Sequence, residues 1–566
     1  MLTPGVGVSG SLGDAAQSQP SLETRLYRFD AAAGERFFFD RTGLSGDNFS
    51  LRLIGPDGRA LVGPQWFSDD VDVFTTAVAG TYTVALEGRI YNTQASNFAF
   101  TLHKVIDGSG TLNLGATVSG SIEQPGQRQL YGFTLAADSW VVFDSLSGSS
   151  ALTWSLSGPR GDEVVGRTLR NSDSGELGGS PAMRLQAGSY TLTVDGSGDA
   201  TGAFALRLLD LADAEALPYG RAVSSSLDPG NLTRAYRIAA TAGDEVVLDW
   251  QSMSGGNAYW RLLDPTGRLV FGPDYMNSDR GPLTLLLSGD YTLLVEGRSF
   301  ETAPVSYAFT LTLNGQTPIA APTGTAILKG QRVEGTLSAA GERDDYLIEL
   351  AGPTRLYFDS FAPGNNGAFR WSLVGPRGVE VDGRSIYYSE SWEYGAAPPV
   401  VDLPLAGTYQ VRIQADGATT GAYAFRVLDL ADATALTPGT QVDATLNPGN
   451  ETDVYRFDAQ AGERFFFDAR ALSPNNGNWV SWTLLDPQGR LVFGPTGLYA
   501  NNDVDVTTLA RSGSYTLLVE GRVWVAVNGV ASFDYSFNVQ PVVDDAPLAL
   551  DLGARIDGVL AARPTR

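Results

Sequence analysis

The feature that most constrains this fold is an internal repeat with a period of about 110 residues. The octapeptide AGERFFFD occurs twice, at residues 33–40 and again at residues 461–468. A glycine ahead of the first strand and a Tyr-x-Phe/Ile motif both recur with this period. The glycines are Gly5, Gly115, Gly220, Gly330, Gly439 and Gly553, and the tyrosines are Tyr27, Tyr131, Tyr236, Tyr346 and Tyr455. Two landmarks with one period predict five complete units and the start of a sixth.

The units alternate in type. The second and fourth, here called even repeats, end in the matching text LDLADA at residues 209–214 and 428–433. The odd repeats instead carry Glu-Gly-Arg after their third hairpin, beginning at Glu87, Glu296 and Glu520. We place the repeats at residues 1–107, 108–214, 215–320, 321–432 and 433–543, with the first strand of a truncated sixth repeat in 544–566.

The turns within each unit predict its secondary structure. Pro-Gly turns such as residues 264–267 and 486–489 separate short segments in which apolar and polar residues alternate. Seven or eight short strands in about 110 residues are typical of an antiparallel β-sandwich. The 66 glycines lack the every-third-residue period of collagen, so we interpret them as turn residues.

The order of these motifs is similar to that of a known family. Tyr-x-Phe, Ala-Gly, Phe-Asp, Asp-Pro-x-Gly and Ala-Gly-x-Tyr together resemble the bacterial pre-peptidase C-terminal domain, and the resemblance covers essentially the whole chain. It implies an all-β protein of five tandem jelly-roll-like antiparallel β-sandwich domains in an elongated array. It also implies a location outside the cell, as an accessory, binding or spacer module of a large secreted or surface protein.

Charge and composition disfavour several functions. A net charge of −24 repels nucleic acid and anionic membranes, and no apolar run approaches the length of a membrane span. The chain has no cysteine, and His103 is its only histidine, which rules out multi-histidine metal sites. We also expect no Ser-His-Asp triad, since no other repeat has a histidine at the position of His103. We therefore expect no enzyme, although counting does not exclude a carboxylate pair. The N-terminus lacks a signal peptide, so we expect an excerpt of a longer secreted protein.

Calcium is the one candidate cofactor. Some members of the resembling family bind calcium near the segment that leads into the domain, and here that segment is acidic. The candidate ligands are Asp210, Asp213, Asp228, Asp429, Asp432, Glu451 and Asp453. An aspartate also ends the FFFD strand in each repeat, where capping of the following loop by backbone N–H groups is the alternative interpretation: Asp40, Asp144, Asp249, Asp359 and Asp468. A third acidic cluster comprises Asp69, Asp70 and Asp72.

Aromatic residues supply candidate ligand-binding positions. Trp154, Trp260, Trp371 and Trp482 each share a strand face with a leucine and are predicted core residues. Rings in the loops beyond the Pro-Gly turns suit stacking on glycans, or else pack onto their own sheet: Trp66, Tyr275, Tyr499, Tyr388 and Trp392.

The FFFD strand is apolar on both faces in every repeat. A strand of a two-layer sandwich ordinarily shows one face to water, so a loop or a neighbouring repeat must cover the second face. The residues on that face are Phe38, Val142, Val247, Tyr357 and Phe466. We expect them to form a fixed contact between repeats.

These patterns predict a non-catalytic extracellular repeat region of a bacterial surface or secreted protein, serving as an adhesive or spacing stalk. Its partners would be the neighbouring repeats of the same chain. Two alternatives stay open: a multivalent array that binds extracellular glycans or matrix, and an accessory region of a secreted hydrolase.

Overall fold

The computed structural model describes residues 1–361, 367–395, 399–475, 477–525 and 531–543. The chain divides into two compact units, Met1–Thr317 and Pro318–Arg566. The first unit contains repeats 1 to 3 and the second contains repeats 4 and 5. The predicted strand of a sixth repeat, in 544–566, lies outside the described residues.

The first unit is built from 26 strands. Repeat 1 has β1 (Gly7–Leu12), β2 (Thr24–Ala31), β3 (Arg36–Ser45), β4 (Ser50–Ile54), β5 (Ala60–Trp66), β6 (Val71–Thr75), β7 (Gly80–Glu87) and β8 (Ser96–Val105). Repeat 2 has β9 (Gly108–Thr111), β10 (Val118–Ile122), β11 (Arg128–Leu135), β12 (Ser139–Ser145), β13 (Leu152–Gly158), β14 (Gly161–Thr168), β15 (Ala182–Leu185), β16 (Gly188–Gly196) and β17 (Gly202–Asp210). Repeat 3 has β18 (Glu215–Ala216), β19 (Ala222–Leu227), β20 (Thr233–Ala240), β21 (Asp244–Ser254), β22 (Ala258–Leu263), β23 (Leu269–Tyr275), β24 (Arg280–Thr284), β25 (Gly289–Gly297) and β26 (Val305–Gln316).

The second unit repeats this plan. Repeat 4 has β27 (Thr325–Ala326), β28 (Arg332–Leu337), β29 (Arg343–Leu350), β30 (Thr354–Ser360), β31 (Phe369–Gly375), β32 (Gly378–Ser385), β33 (Val400–Leu403), β34 (Gly407–Ala415) and β35 (Gly421–Asp429). Repeat 5 has β36 (Thr434–Ala435), β37 (Gln441–Leu446), β38 (Thr452–Ala459), β39 (Arg464–Ser473), β40 (Val480–Leu485), β41 (Leu491–Gly497), β42 (Val504–Thr508), β43 (Gly513–Gly521) and β44 (Phe533–Pro541). The described helices are one short α-helix, α1 (Ser391–Tyr394), and the 3-10 turns Ala15–Gln17, Leu169–Asn171, Ser174–Glu176, Leu211–Asp213 and Leu430–Asp432.

Every repeat has the same sheet topology. In repeat 1 one sheet has the order β1-β8-β3-β6 and the other β2-β7-β4-β5. The eight principal strands of each later repeat follow these two orders. Two four-stranded antiparallel sheets connected in this way form a jelly roll. The predicted all-β fold of tandem jelly-roll-like sandwiches is therefore confirmed.

A short leading strand joins each later repeat to the one before it. β9, β18, β27 and β36 add to the edge of the second sheet and run parallel to its first strand. After the leading strand, the N–H of a leucine or, in repeat 4, of Ile327 donates to a carbonyl of the neighbouring strand, as in Leu217 to the Arg237 carbonyl at 2.8 Å. Leu2 bonds to the Arg28 carbonyl at 2.5 Å in the same way, so repeat 1 starts in the same register.

The Pro-Gly turns close as their sequence predicts. In repeat 3 the N–H of Gly267 donates to the carbonyl of Asp264 at 2.9 Å, and Gly267 has a φ of +74°. The Asp264 carboxylate also accepts from the N–H groups of Thr266 and Arg268. Glycine reaches this φ without the steric penalty that other residues meet, which explains why it recurs here.

Each sandwich has its own core between its two sheets. The four predicted core tryptophans are all buried, with exposures of 0–2%: Trp154, Trp260, Trp371 and Trp482. In the FFFD strand of repeat 1, Phe37 and Phe39 face this core, and Phe38 on the other face is also only 2% exposed. Among the described residues, no helix has the length and apolar character needed to cross a bilayer.

Candidate functional site at the paired-repeat interface

The even repeats carry a long loop between the fifth and sixth strands of the sandwich. We call this segment the docking loop; it comprises residues 169–181 between β14 and β15, and residues 386–395 between β32 and β33. The loop of repeat 2 forms two 3-10 turns, and that of repeat 4 forms α1. In both cases the loop lies against the following odd repeat.

Buried side chains of the even repeat hold its docking loop in place. The indole Nε1 of Trp154 donates to Ser172 Oγ at 2.7 Å, and Trp371 makes the same bond to Ser389. The loop carboxylate of Asp173 accepts the N–H of Ser145 at 2.5 Å. In repeat 4 a glutamate takes this place, and Glu390 accepts the N–H of Ser360 at 2.7 Å. Hydrogen bonds within the even repeat therefore hold the docking loop in position without any contact from the next repeat.

In the pair formed by repeats 2 and 3, a buried glutamate of repeat 3 receives the loop. Glu296, on β25, accepts the N–H of Ser174 at 3.2 Å through one oxygen and pairs with Arg261 Nε at 2.6 Å through the other. The Arg261 guanidinium also donates to the carbonyls of Ser174, Leu177 and Gly179. The side chains of Glu296 and Arg261 are completely buried.

In the pair formed by repeats 4 and 5, Glu520 has the equivalent role. One of its oxygens accepts from the N–H and the Oγ of Ser391, at 3.1 and 2.7 Å, and from the Tyr357 hydroxyl at 2.5 Å. The other oxygen accepts from Thr483 Oγ1 at 3.2 Å. Here neutral hydroxyls replace the arginine of the first pair.

The arginine of the Glu-Gly-Arg motif makes the second polar contact. Arg298 Nε donates to Glu176 Oε1 of the docking loop at 2.8 Å, and Arg522 Nε donates to Glu393 Oε1 at 2.5 Å. The Arg522 guanidinium also lies 4.8 Å from the ring centroid of Trp392. The sequence motif that separates odd from even repeats therefore marks the face that receives the docking loop.

A third contact passes through an aspartate at the end of the FFFD-type strand. Asp144 is fully buried, pairs with Arg207 Nε at 2.7 Å and accepts the N–H of Thr233 in repeat 3. Arg207 also donates to the Thr233 carbonyl at 2.8 Å. Repeats 4 and 5 reproduce the two arginine bonds, from Arg426 Nε to Asp359 at 2.8 Å and from the same guanidinium to the Thr452 carbonyl at 2.9 Å. These two aspartates form ion pairs with arginines, instead of capping their loops as one interpretation of the sequence had it.

An apolar cluster completes each interface. Val142 of repeat 2 packs with Leu211, Leu263 and Leu294, and Tyr357 of repeat 4 packs with Leu430, Leu485 and Leu518. In the second pair, Val523 of repeat 5 is fully buried within the core cluster of repeat 4. Each even–odd pair thus shares an interface with apolar, hydrogen-bonded and charged components.

At one pair of aligned positions, the two interfaces carry their large residue on opposite sides. A Cβ on Gly175 of the first docking loop would lie 2.4 Å from Tyr259 Cζ, so the tyrosine ring of repeat 3 lies directly on this glycine. In the second pair the loop position holds Trp392, and the strand position holds Ser481. A large residue on one side is therefore matched by a small residue on the other in both pairs.

Burial shifts the acid–base behaviour of these interfaces. Desolvation raises the pKa of Glu296 and of Glu520 above the ordinary value. It raises the pKa of Asp173 and Glu390 much further, because each also faces a second carboxylate, Asp144 or Asp359. In each of these two facing pairs, both carboxyl groups have one oxygen without a hydrogen-bond partner among the protein atoms: Asp144, Asp173, Asp359 and Glu390. A proton on one carboxyl group of each pair would remove the repulsion between the two negative charges.

The residues predicted to make inter-repeat contacts occupy three kinds of place. Val142 and Tyr357 lie in the paired interfaces. Phe38 is buried at the junction of repeats 1 and 2, where a Cβ on Gly126 would lie 3.6 Å from Phe38 Cβ. Val247 in β21 and Phe466 in β39 are half-buried.

The predicted ligand-binding aromatics are dispersed. Trp66 and Tyr388 are 44% and 51% exposed. Tyr275 is 41% exposed, and its ring centroid lies 4.3 Å from that of Tyr259. Tyr499 packs against the core of repeat 5. Trp392 lies in the docking loop beneath Arg522.

Among the described residues, the predicted calcium ligands either bond to other protein groups or are exposed. Asp210 and Asp429 cap the LDLADA turns by accepting the N–H groups of Ala212 and Ala431. Lys329 Nζ donates to Asp429 and lies 3.7 Å from an oxygen of Asp432. Glu451 accepts the N–H of Asn447, and Asp453 accepts the hydroxyl of Tyr535. Asp213 and Asp228 are exposed.

Carboxylates do converge at one place among the described residues. Asp40 and Asp70 of repeat 1 and Asp199 of repeat 2 each have a carboxylate oxygen within 4.8 Å of the others. Asp70 also accepts the N–H of Arg41 at 2.7 Å, and Asp40 lies 3.5 Å from His103. Calcium binding stays a prediction.

Sequence reasoning missed the residues that build the interface. Tyr388 and Trp392 of the docking loops were predicted only as candidate ligand-binding rings. The other docking-loop residues, the glutamates Glu296 and Glu520, and the arginines Arg298 and Arg522 were not predicted to bind anything. Two signals were nevertheless present: the Glu-Gly-Arg motif restricted to odd repeats, and the longer segment before the sixth strand in even repeats.

Comparison with known proteins names no family. No family model matches the sequence, and no curated protein matches it. Among solved structures, the chain is similar to PliG, a periplasmic inhibitor of g-type lysozyme from Salmonella Typhimurium, at 22% identity over 19% of this chain and 98% of PliG, with a TM-score of 0.13. The CUB1-EGF-CUB2 domains of human MASP-1/3 match at 9% identity over 35% of this chain and 99% of theirs, with a TM-score of 0.13. Scores this low support no argument about function.

The stability of the second pair should fall as the pH rises. Burial raises the pKa of Asp359 to about 7 and raises the pKa of Glu390 well above its ordinary value, so the folded state holds protons that the unfolded state releases near pH 4. Stability is therefore greatest below pH 4 for these groups and is lost as the pH rises through their folded-state values. We expect a loss on the order of a few kcal/mol between pH 5 and 8, measured by urea titration with tryptophan fluorescence.

Glu390→Gln provides the control for this prediction. The amide keeps an acceptor for Ser360 and supplies a permanent donor toward Asp359, so the variant should lose much less stability over the same pH range. Equal pH dependence in the variant and the parent chain would show that this carboxyl pair is not responsible.

The matched residues of the two interfaces should be exchangeable only as a set. Trp392→Gly removes a ring and should destabilise the second pair by about 2 kcal/mol, and Ser481→Tyr alone should overpack it by about 1–3 kcal/mol. The double variant reproduces the Gly175–Tyr259 arrangement and should recover at least half of the loss. Urea titration of all four chains measures the coupling, and simple additivity would contradict the proposed match.

Proposed function

We propose that this chain is a non-catalytic extracellular repeat region that acts as an adhesive or spacing stalk, and that its rigid element is an even–odd pair of sandwiches. The observation that carries the proposal is the recurrence of one interface. Repeats 2 and 3 and repeats 4 and 5 make the same three contacts. A docking-loop serine donates to the buried glutamate, the Glu-Gly-Arg arginine donates to a docking-loop glutamate, and an arginine of the even repeat donates to a threonine carbonyl of the odd repeat. Because the same contacts recur in both pairs although some of the side chains differ, the interface belongs to the repeating architecture of the chain.

The chemistry of the interface explains why it would resist bending. Rotation of one sandwich on the other would separate Glu296 or Glu520 from its donors while leaving the carboxylate largely out of water. Removing one partner of a buried charged pair costs about 3–5 kcal/mol. The apolar clusters around Val142 and Tyr357 would be exposed by the same motion. A spacer needs this resistance, because distance is kept only when its joints are stiff.

The setting of this stalk is supported by the sequence. The resemblance to the pre-peptidase C-terminal domain favours an extracellular place in a bacterial secreted or surface protein. A net charge of −24 favours a dispersed, soluble surface and disfavours contact with nucleic acid. Adhesion or reach would then depend on how many pairs stand in series.

Spin labels test the stiffness of a pair in the full chain. The chain contains no cysteine, so Leu328→Cys in repeat 4 and Val506→Cys in repeat 5 label two exposed sites cleanly. We expect one narrow distance distribution from double electron–electron resonance. Breaking the pair with Glu393→Ala and Arg522→Ala together should widen it at least about twofold, because the docking loop loses its charged anchor.

A surface ion pair supplies the matched control. Arg370 and Asp416 pair on the exposed face of repeat 4, and Arg370→Ala should leave the distribution unchanged. A broad distribution in the parent chain would contradict the proposal that the pair is a rigid element.

A further inference from the structure

Repeat 1 carries the same receiving face as repeats 3 and 5. Arg52 Nε on β4 pairs with Glu87 Oε2 on β7 at 2.7 Å, and Arg261 and Glu296 make this bond at 2.6 Å. The strand register is also the same, since Thr24 lies opposite Glu87 as Thr233 lies opposite Glu296. The chain therefore builds this face three times.

The environment of the face differs between the copies. In repeat 3 the Arg261 and Glu296 side chains are 0% exposed beneath repeat 2, whereas Arg52 and Glu87 are 40% and 32% exposed. Leu26 of repeat 1 is 59% exposed. Its counterparts Ala235 and Val454 pack into the apolar clusters of the two paired interfaces.

The largest difference in exposure is at the residue directly after the Glu-Gly-Arg motif. Ile90 of repeat 1 is 92% exposed, while Ser299 and Val523 at the same position are 1% and 0% exposed. Arg89 lies 4.4 Å from the ring centroid of Trp66 and 3.9 Å from that of Tyr91. Among the described residues, no carboxylate lies within ion-pair distance of Arg89. Its counterparts, Arg298 and Arg522, bind the docking-loop glutamates Glu176 and Glu393.

We propose that this face of repeat 1, formed by Leu26, Arg52, Glu87, Arg89 and Ile90, is a docking surface for a further even-type sandwich. The partner is defined by its docking loop, which carries Asp/Glu-Ser-x-Glu as in residues 173–176 and 390–393. Its serine N–H would bind Glu87, its glutamate would bind Arg89, and its apolar strand would cover Leu26 and Ile90. Repeats 2 and 4 already cover repeats 3 and 5, so the partner is an additional sandwich. The inference rests on the pairing that underlies the proposed function.

The register of the chain allows a direct test. Residues 108–216 end immediately before Leu217, and Leu2 occupies the position of Leu217. A copy of 108–216, preceded by an initiating methionine, is therefore joined directly to Leu2 of the full chain. Residues 325–435, which end before Leu436, give an independent second extension.

The probe is the rate of maleimide labelling at Ile90→Cys. The parent chain should label rapidly, because this position is 92% exposed. Both extended chains should label at least about tenfold more slowly. Introducing the Glu176→Lys change in the added copy should restore rapid labelling, since the lysine would face Arg89. Rapid labelling of the Ile90→Cys thiol in both extended chains would overturn the inference.

A second cysteine separates this inference from the proposed function. Ser299→Cys in the parent chain probes the same position in repeat 3, where repeat 2 already covers it. Protection of the Ser299→Cys thiol, together with rapid labelling of the Ile90→Cys thiol in both extended chains, would overturn the docking surface alone. Rapid labelling of the Ser299→Cys thiol in the parent chain would contradict the pairing itself, and with it both proposals.

Discussion

The structure depends on a carboxylate buried between two domains. Glu296 and Glu520 lie on strands of odd repeats, yet their donors include the backbone of the preceding even repeat. A buried charge is tolerated only where its hydrogen-bonding partners are fixed in place. The docking loop therefore has one position in which it satisfies this glutamate, and the register of the two sandwiches follows from it. The apolar clusters contribute area, whereas the glutamate determines the orientation.

Two pairs reach this result with different side chains. The first pair neutralises Glu296 with Arg261, and the second surrounds Glu520 with the hydroxyls of Tyr357, Ser391 and Thr483. A ring from repeat 3 fills the gap in the first interface, and the docking loop supplies Trp392 at the matching position in the second. Such compensation adjusts each even repeat to its own odd partner at this one position, because changing only one side of a pair would leave a gap or a clash there.

Much of the fold followed from the sequence, because the relevant signals are local. The repeat period, the Pro-Gly turns and the buried tryptophans each depend on residues close together in the chain. The apolar second face of the FFFD strand was also visible, and Val142 and Tyr357 do lie between repeats. An apolar face predicts that something buries it, even when the sequence does not show which element does so.

The polar part of the interface could not be predicted in this way. Ser174 and Glu296 are 122 positions apart, and a glutamate near the end of a strand is ordinarily exposed. Trp392 has the same limitation: a ring beside acidic residues suits a ligand site until its neighbour Arg522 is known. These residues acquire their roles only when two sandwiches are placed together, and no periodicity within one repeat encodes that placement.

The central claim is that an even repeat and the odd repeat after it form one rigid body. Residual dipolar couplings of backbone amides in the deuterated full chain measure this directly, because each sandwich reports its own alignment tensor. The account predicts that repeats 2 and 3 share one tensor in magnitude and orientation, and that repeats 4 and 5 do as well. Clearly different tensor magnitudes within either pair would mean that the two sandwiches move independently, and would contradict the account.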